Sequence, residues 1–310
     1  PAAQLAPVLK SGFTDVDSLR TLARRCEVVT IDWENVSVAA LRKLRQDTRV
    51  SPPPAAIAAA QDRVSEKRLF EKLGIATTRW RAVSSRRQLD AAVRDIGLPG
   101  VLKTRRMGYD GKGQVVLCSS DDLQPAWAAL GQAPLLYEER VSFDLEVSVI
   151  GVRSRSGECR VYPLNHNLHA DGILRLTRAP YGNERLNRMA TRHVLAVMEH
   201  LRYVGVLTIE FFVCAGVLVA NEMAPRVHNS GHWTIEGAVT SQFENHLRAI
   251  VGLPLGDTRA VGHSAMINLI GTMPARAQLL RHPGVHLHDY AKEPRPGRKL
   301  GHLTVVEDDA

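Results

Sequence analysis

The chain is short of the residues that several functional classes need. Aromatics make up only 5% of its 310 residues. That leaves few rings to stack on bases and argues against a single-stranded nucleic-acid binder. Cysteine occurs four times, at Cys26, Cys118, Cys159 and Cys214, at wide irregular spacings with no CxxC. This argues against a zinc ribbon or a disulfide framework, and a reducing cytoplasm is the expected setting. No apolar run approaches the ~18 residues of a membrane-spanning helix, so no membrane partner is expected. No repeat, low-complexity tract or secretory signal pattern is visible. What is there is globular: 45% hydrophobic and 23% charged residues, with a formal charge of +8. The length suggests two or three lobes. The positive surplus suits either nucleic acid or small phosphorylated anions. The densest basic run, KEPRPGRK at 292–299, is short and broken by Pro294 and Pro296. The other Lys and Arg are scattered among acids, so small anions are the expected partners and nucleic acid is not.

Periodicity gives an α/β and α+β order. SLRTLARR, CEVVTIDW and VAALRKLRQ read as helix, strand, helix, and SPPP at 51–54 is a hard stop. One helical run over 55–74 closes on Gly74. A short strand near 78–82, the helix SRRQLDAAVRDIG and the Pro99-Gly100 turn follow. PLLYEERVSFDLEVSVIG and ECRVYPL read as strands, NERLNRMATRHVLAVMEHLRYVG as a long helix. Two more strands and the helix SQFENHLRAIVG lead into a β-rich tail. The whole is an α/β piece, a large α+β body and a small β-rich end.

Three stretches carry chemistry. In RRMGYDGKGQ, Gly108, Gly111 and Gly113 punctuate a hairpin. Glycines permit positive φ and close backbone approach, so several N–H groups can face one anion. Arg105, Arg106 and Lys112 add charge, and Lys103 stands on the strand before. The loop is neither a P-loop nor a Rossmann fingerprint. Next, TIEFFVCAGVLVANE sets Glu210 and Glu222 on two strands. With Cys214-Ala215-Gly216 as the turn, Glu210 faces Ala220, and Glu222 lies two residues along on the same face. Diagonal neighbours of this kind are about 7–8 Å apart, close enough to grip one cation. A divalent ion would relieve the repulsion of two acids on an apolar hairpin, and hard oxygen ligands favour Mg²⁺, or Mn²⁺, over zinc. Last, NEMAPRVHNSGHWT spaces His228 and His232 four apart, but Asn229-Ser230-Gly231 is a poor helix interior. It reads as a loop in which Arg226 can fork an oxyanion and Asn229 adds donors.

These motifs, with YEERVSFDLEVSVI, YPLNHNLHADGIL, SQFENHLRAIVGLPLG and KEPRPGRKLGH, span most of the chain in order. Together they resemble the ATP-grasp enzymes, and within them the N5-carboxyaminoimidazole ribonucleotide synthase family. The resemblance implies an ATP-grasp fold. A pre-ATP-grasp, Rossmann-like domain would occupy 1–54, the ATP-grasp domain 55–255 with a lid at about 78–137, and a small β-rich domain 256–310. It places Arg63 and Lys103 on the ATP phosphates and Gly108, Tyr109, Asp110, Gly111, Lys112, Gly113 and Gln114 in the closing loop. Glu138, Glu139, Arg140 and Val141 would meet adenine through the backbone, and Glu146 the ribose. His169, Asn221 and Glu222 fall on the nucleotide side, and Glu210 and Glu222 match the magnesium ligands. Arg226, His228 and Asn229 resemble the bicarbonate pocket and, with Lys103, the catalytic set. Tyr109, Lys112, Lys299 and an acid of TIDWE, Glu34 or Asp32, would meet aminoimidazole ribonucleotide, with Lys292, Arg295 and Arg298 near its phosphate.

The implied reaction forms carboxyphosphate from bicarbonate and ATP and then carboxylates the ribonucleotide amine. The implied assembly is a homodimer in the cytoplasm. The family's opening glycine-rich turn has no counterpart here. The chain starts at Pro1 without an obvious first strand and stops soon after GHLTVVED, so both ends of the family pattern are expected to be missing.

Overall fold

The computed structural model describes residues 6–108 and 111–308. The first unit contains α1 (Val16–Arg25), β1 (Val28–Val29), α2 (Val38–Leu44), β2 (Arg49–Val50) and α3 (Pro54–Ala60). β1 and β2 pair in parallel. Asp15 and Ser37 cap the two helices by accepting from Ser18 and Ala40 N–H. Leu41, Leu44, Val50 and Ile57 bury between them.

The single helical run expected over 55–74 is two helices. α3 ends at Gln61, and α4 (Arg63–Lys72) restarts on Asp62, whose carboxylate accepts from Val64 and Ser65 N–H. An Asp competes for backbone N–H groups, which suits a helix start better than an interior. The break presents Arg63 at the tip of α4.

A four-stranded sheet in the order β3-β6-β4-β5 occupies the stretch expected as the lid, and that name is kept for it. Its strands are β3 (Trp80–Val83), β4 (Gly100–Thr104), β5 (Gln114–Leu117) and β6 (Leu135–Glu139). Helices α5 (Arg86–Ile96) and α6 (Leu123–Leu130) share its core with Leu102, Leu117, Leu135 and Tyr137. Position 100 requires glycine: a Cβ there would lie 2.1 Å from the Tyr137 hydroxyl, which donates to Gly97 O at 2.6 Å.

The rest is one nine-stranded sheet, β12-β11-β7-β9-β10-β13-β15-β14, with β8 beside β7. The strands are β7 (Leu145–Arg153), β8 (Cys159–Val161), β9 (Asn165–Ala170), β10 (Ile173–Ala179), β11 (Gly205–Cys214), β12 (Val217–Ala224), β13 (His263–Ile270), β14 (Val285–Asp289) and β15 (Lys299–Glu307). The β-rich end thus has no sheet of its own: β13 pairs with β10, so the last three strands extend the central one. α7 (Glu184–His200) covers the side where Val147, Leu207, Phe211 and Met223 are buried. α8 (Thr234–Gly237) and α9 (Gln242–Val251) cover the other, over Ile150, Val206 and Trp233. A last short helix, α10 (Arg276–Leu279), precedes β14. Among the described residues no helix is long and apolar enough to cross a membrane.

Candidate active site

The two glutamates meet because the hairpin carries an irregularity. Its turn is Ala215-Gly216, both at positive φ, so Cys214 pairs with Val217 and Phe211 with Ala220. That register differs by one residue from the three-residue turn read in the sequence. A bulge then inserts Asn221, and Glu210 pairs directly with Glu222. Ala220 therefore points into the core with Phe211, while Asn221 and Glu222 line the cleft. The pKa values of the two carboxylates shift in opposite directions. Burial and the negative charge of Glu222 raise the Glu210 pKa to about 7. Burial opposes ionisation of Glu222 too, but Arg63, 3.1 Å away, and Lys103 lower its pKa below the usual value.

Three clefts adjoin here, and the central one is lined by both glutamates. The central one, about 220 Å³, takes Glu146 and His169 from β7 and β9, Lys103 from β4, and Gly111, Lys112 and Gln114 from the glycine loop. Glu146 bonds His169 Nδ1 at 2.7 Å. Burial would favour the neutral imidazole, but that bond and the charge of Glu210 raise the His169 pKa. The second cleft, about 600 Å³, lies between lid and central sheet. Glu139, Arg140 and Val141 line one side, and Phe143 stacks on Phe212 at 4.7 Å. Glu138 lines it too, but its carboxylate is buried, pairing with Lys103, with Lys67 at 2.8 Å and with the Thr78 hydroxyl at 2.9 Å. Burial alone would raise its pKa; the two ammonium groups hold it well below the usual carboxylate range.

The glycine loop folds back as expected, with Gly111 and Gly113 at positive φ and Thr104 N–H donating to Gly113 O at 2.8 Å. Tyr109 and Asp110 lie outside the described residues. Arg105 and Arg106 do not serve the loop. Both turn to Asp62, at 2.8 and 3.2 Å, and so tie the root of the loop to the tip of α4.

The third cleft, about 280 Å³, opens between the N-terminal unit and β12. It shares Arg63, Glu222, His228, Asn229 and Lys299 with the central one. Of the two acids in TIDWE, Glu34 lines it and pairs with Arg226. Asp32 is exposed and acts on Arg226 only through its charge. Trp33 adds the cleft's indole, packed against Phe13 at 5.7 Å. The loop reading of HNSGH holds: Asn229–Gly231 is one 3-10 turn, with the buried Trp233 and Thr234 after it. His228 accepts at Nδ1 from Ser230 N–H at 3.3 Å, which assigns its proton to Nε2, 3.5 Å from Glu210. Burial and the nearby Arg226 keep this imidazole neutral, its pKa well below the ordinary value. Lys292 and Arg295 are exposed, and Arg298 half-buried, on the segment after β14. None of the three lines these clefts, although Lys292 feels the charges of Arg298, Asp32 and Lys299.

Lys67 and Asp62 were missed in the sequence. A charged residue in EKRLFEK reads as solvated, and only the lid's return at Glu138 buries Lys67.

Three family models cover the chain in order. They are a ribonucleotide synthetase preATP-grasp domain over residues 1–61, an ATP-grasp domain over 68–243, and a phosphoribosylaminoimidazole carboxylase C-terminal domain over 264–310. The N5-carboxyaminoimidazole ribonucleotide synthase of Pseudomonas aeruginosa is 50% identical over 304 residues, 98% of this chain and 84% of that protein. The solved N5-carboxyaminoimidazole ribonucleotide synthetase of Thermus thermophilus matches with a TM-score of 0.94 at 47% identity, over 99% of this chain and 84% of that one. The Aspergillus clavatus synthase, solved with ADP and 5-aminoimidazole ribonucleotide, matches with a TM-score of 0.91 at 30% identity, over 100% and 85%.

Proposed function

Because the chain belongs to the N5-carboxyaminoimidazole ribonucleotide synthase family of ATP-grasp enzymes, we propose that its three joined clefts perform that family's two-stage carboxylation. The observation that carries this is their continuity: the central cleft, which holds Glu210 and Glu222, shares Lys103, Gln114 and Phe212 with the second and Arg63, Glu222 and Lys299 with the third. One end suits a nucleotide base, the middle its phosphates, and the far end a second substrate.

In the first stage a bicarbonate oxygen attacks the γ-phosphorus of ATP, the bond to the β–γ bridging oxygen breaks, and carboxyphosphate and ADP form. In the second the ribonucleotide amine attacks the carboxyl carbon, of carboxyphosphate or of CO₂ released from it. Phosphate leaves, the amine loses a proton, and N5-carboxyaminoimidazole ribonucleotide results.

The chain's own residues position and neutralise, as phosphoryl transfer requires. The backbone of Glu139–Val141 is assigned to adenine and Glu146 to the ribose. Lys103 and Arg63 are assigned to the phosphates, under the N–H groups of Gly111–Gly113. Arg226, His228 and Asn229 are assigned to bicarbonate, and Glu34 and Lys299 to the ribonucleotide, whose phosphate falls to Lys292, Arg295 and Arg298. Loop closure would exclude water, which destroys carboxyphosphate.

The facing carboxylates fit a hard divalent cation, since Glu210 pairs directly with Glu222 across the hairpin and that neighbouring charge, with burial, raises its pKa to about 7. Among the described residues no third His, Cys, Asp or Glu is placed to complete a protein-only site. This suits Mg²⁺, which keeps water and phosphate ligands and would lower the charge on the transferring phosphoryl group. Resemblance to the family further suggests a cytoplasmic homodimer, which light scattering tests for the assembly.

The test is ADP release from ATP, Mg²⁺ and bicarbonate, with and without aminoimidazole ribonucleotide. Stimulation by the ribonucleotide is expected. ATP binding without stimulation would refute the carboxylation reading for this chain.

A further inference from the structure

We propose that His232, Tyr290 and His302 form an internal relay that takes up the second N–H of the Asn229 amide, whose orientation Asn268 fixes, and so leaves its oxygen as the group for the substrate, favouring an anion that bears an O–H. This rests on the placement of Asn229 in the bicarbonate pocket. The relay reaches that pocket from the last two strands of the sheet.

The hydrogen-bond partners decide who donates. Asn268 on β13 gives an N–H to the Leu174 carbonyl at 2.9 Å, and a carbonyl can only accept. That fixes the orientation of the Asn268 amide. Its Nδ2 also donates to Asn229 Oδ1 at 2.7 Å, and its Oδ1 accepts from Asn229 Nδ2 at 3.0 Å. The second hydrogen of Asn229 Nδ2 then goes to His232 Nδ1, 3.2 Å away. This nitrogen is therefore an acceptor, and His232 carries its proton on Nε2. The Tyr290 hydroxyl, 3.0 Å from the same Nδ1, shares that lone pair as a second donor. The Tyr290 oxygen in turn accepts from His302 Nδ1–H at 2.8 Å. His302 Nε2 ends the chain as a buried lone pair with no partner among the described residues.

Two consequences follow. Both hydrogens of the Asn229 amide are used inside the protein, so it brings no donor to the clefts it lines, contrary to the donor role expected from sequence. Its Oδ1 keeps one free lone pair. That oxygen can accept the O–H of hydrogencarbonate and repels an anion without one, such as formate. The relay is a positioning device, since His232, Tyr290 and His302 do not line the clefts themselves.

Two variants and one spectrum test this. His232→Asn sets an amide oxygen near the place of Nδ1 and keeps an acceptor there, whereas His232→Leu fills the space without one. The loss of one hydrogen bond predicts a roughly five- to tenfold rise in the KM for bicarbonate for His232→Leu. Inhibition by formate should tighten in the same variant, and the KM for ATP should stay within about twofold. His232→Asn should restore most of the bicarbonate affinity. Equal effects of the two variants, or equal shifts in both KM values, would mean a packing role and overturn the proposal. In an Asn229→Ala background His232→Leu should add nothing; a full additional loss would show that it does not act through Asn229. Independently of activity, ¹⁵N histidine NMR should find His232 protonated at Nε2 and His302 at Nδ1. The opposite tautomer at His232 overturns the relay even if the carboxylation reading stands, and correct tautomers in a chain without bicarbonate-dependent turnover refute that reading and, with it, the role assigned to the relay.

Discussion

Glu138 shows how much one buried carboxylate can organise. Desolvation works against its charge, yet Lys103 from β4 and Lys67 from α4 approach it together and keep it ionised. Because α4 belongs to the main body and β4 to the lid, this triad is also where the two meet. Its members are not equivalent: Lys103 lines the central and second clefts, while Lys67 is buried behind it. Lys67→Met removes one of two counter-ions and leaves the other committed to Glu138. It should destabilise the protein by about 3 kcal/mol, the scale of breaking a buried ion pair from one side. It should also weaken ATP binding, because Lys103 is drawn further onto Glu138. A urea titration with unchanged midpoint would show that the triad is not coupled in this way. Glu138 was readable in the sequence only for its backbone role at the hinge. Its side-chain role depends on residues 67, 78 and 103 meeting around it, and no local spacing encodes that.

In the hairpin of β11 and β12, two irregularities within one element compensate each other. The sequence reading put Glu210 and Glu222 on one face, and the structure agrees, but for a different reason. The turn is one residue shorter than read, which by itself would send Glu222 to the opposite face. The bulge at Asn221 shifts the ladder once more and returns it. The two offsets cancel. The bulge shows in the burial: the buried residues on β12 run Leu218, Ala220, Met223, so alternation slips between 220 and 223. The turn leaves its own mark. Ala215 holds φ 47, a left-handed conformation that costs a residue with a Cβ roughly 1 kcal/mol. Ala215→Gly should therefore raise the unfolding free energy by up to about 1 kcal/mol, less the entropy glycine loses. Turnover should not change, because neither Ala215 nor Gly216 lines the clefts. A destabilised Ala215→Gly protein would mean that the turn is not under strain.

At the scale of the molecule, the order of the elements was legible and their closure was not. The α/β start and the β-rich tail follow from spacing, and the lid was expected from the family resemblance. Nothing local indicates that the tail joins the central sheet through β10, or that the N-terminal unit docks on it through two distant polar pairs. Those pairs are Glu34 with Arg226, and the Thr30 hydroxyl with His246 Nε2 at 2.8 Å. His246 Nδ1 in turn accepts from Val206 N–H at 3.1 Å, so its ring spans from the N-terminal unit to β11 as a neutral imidazole. Burial lowers its pKa from 6.5 to about 4. Between those values the unfolded chain binds a proton that the folded one refuses, so this histidine's contribution is fully present above pH 6.5 and is lost as pH falls toward 4. Other groups obscure the raw curve: Glu66, raised to about 8 by burial and Glu222, pulls the opposite way. A difference measurement removes them. His246→Asn keeps an acceptor for Val206 but does not titrate. It should be less stable than the parent at about pH 7.5, from lost packing. Below pH 6.5 the gap should narrow by about 1.4 kcal/mol per pH unit, the linkage value for one proton. Urea unfolding at half-unit steps between about pH 7.5 and about pH 4.5 reads this directly. A gap that stays constant through that window would mean His246 is protonated in the folded state, and that the N-terminal unit docks by a charge rather than by a neutral hydrogen bond.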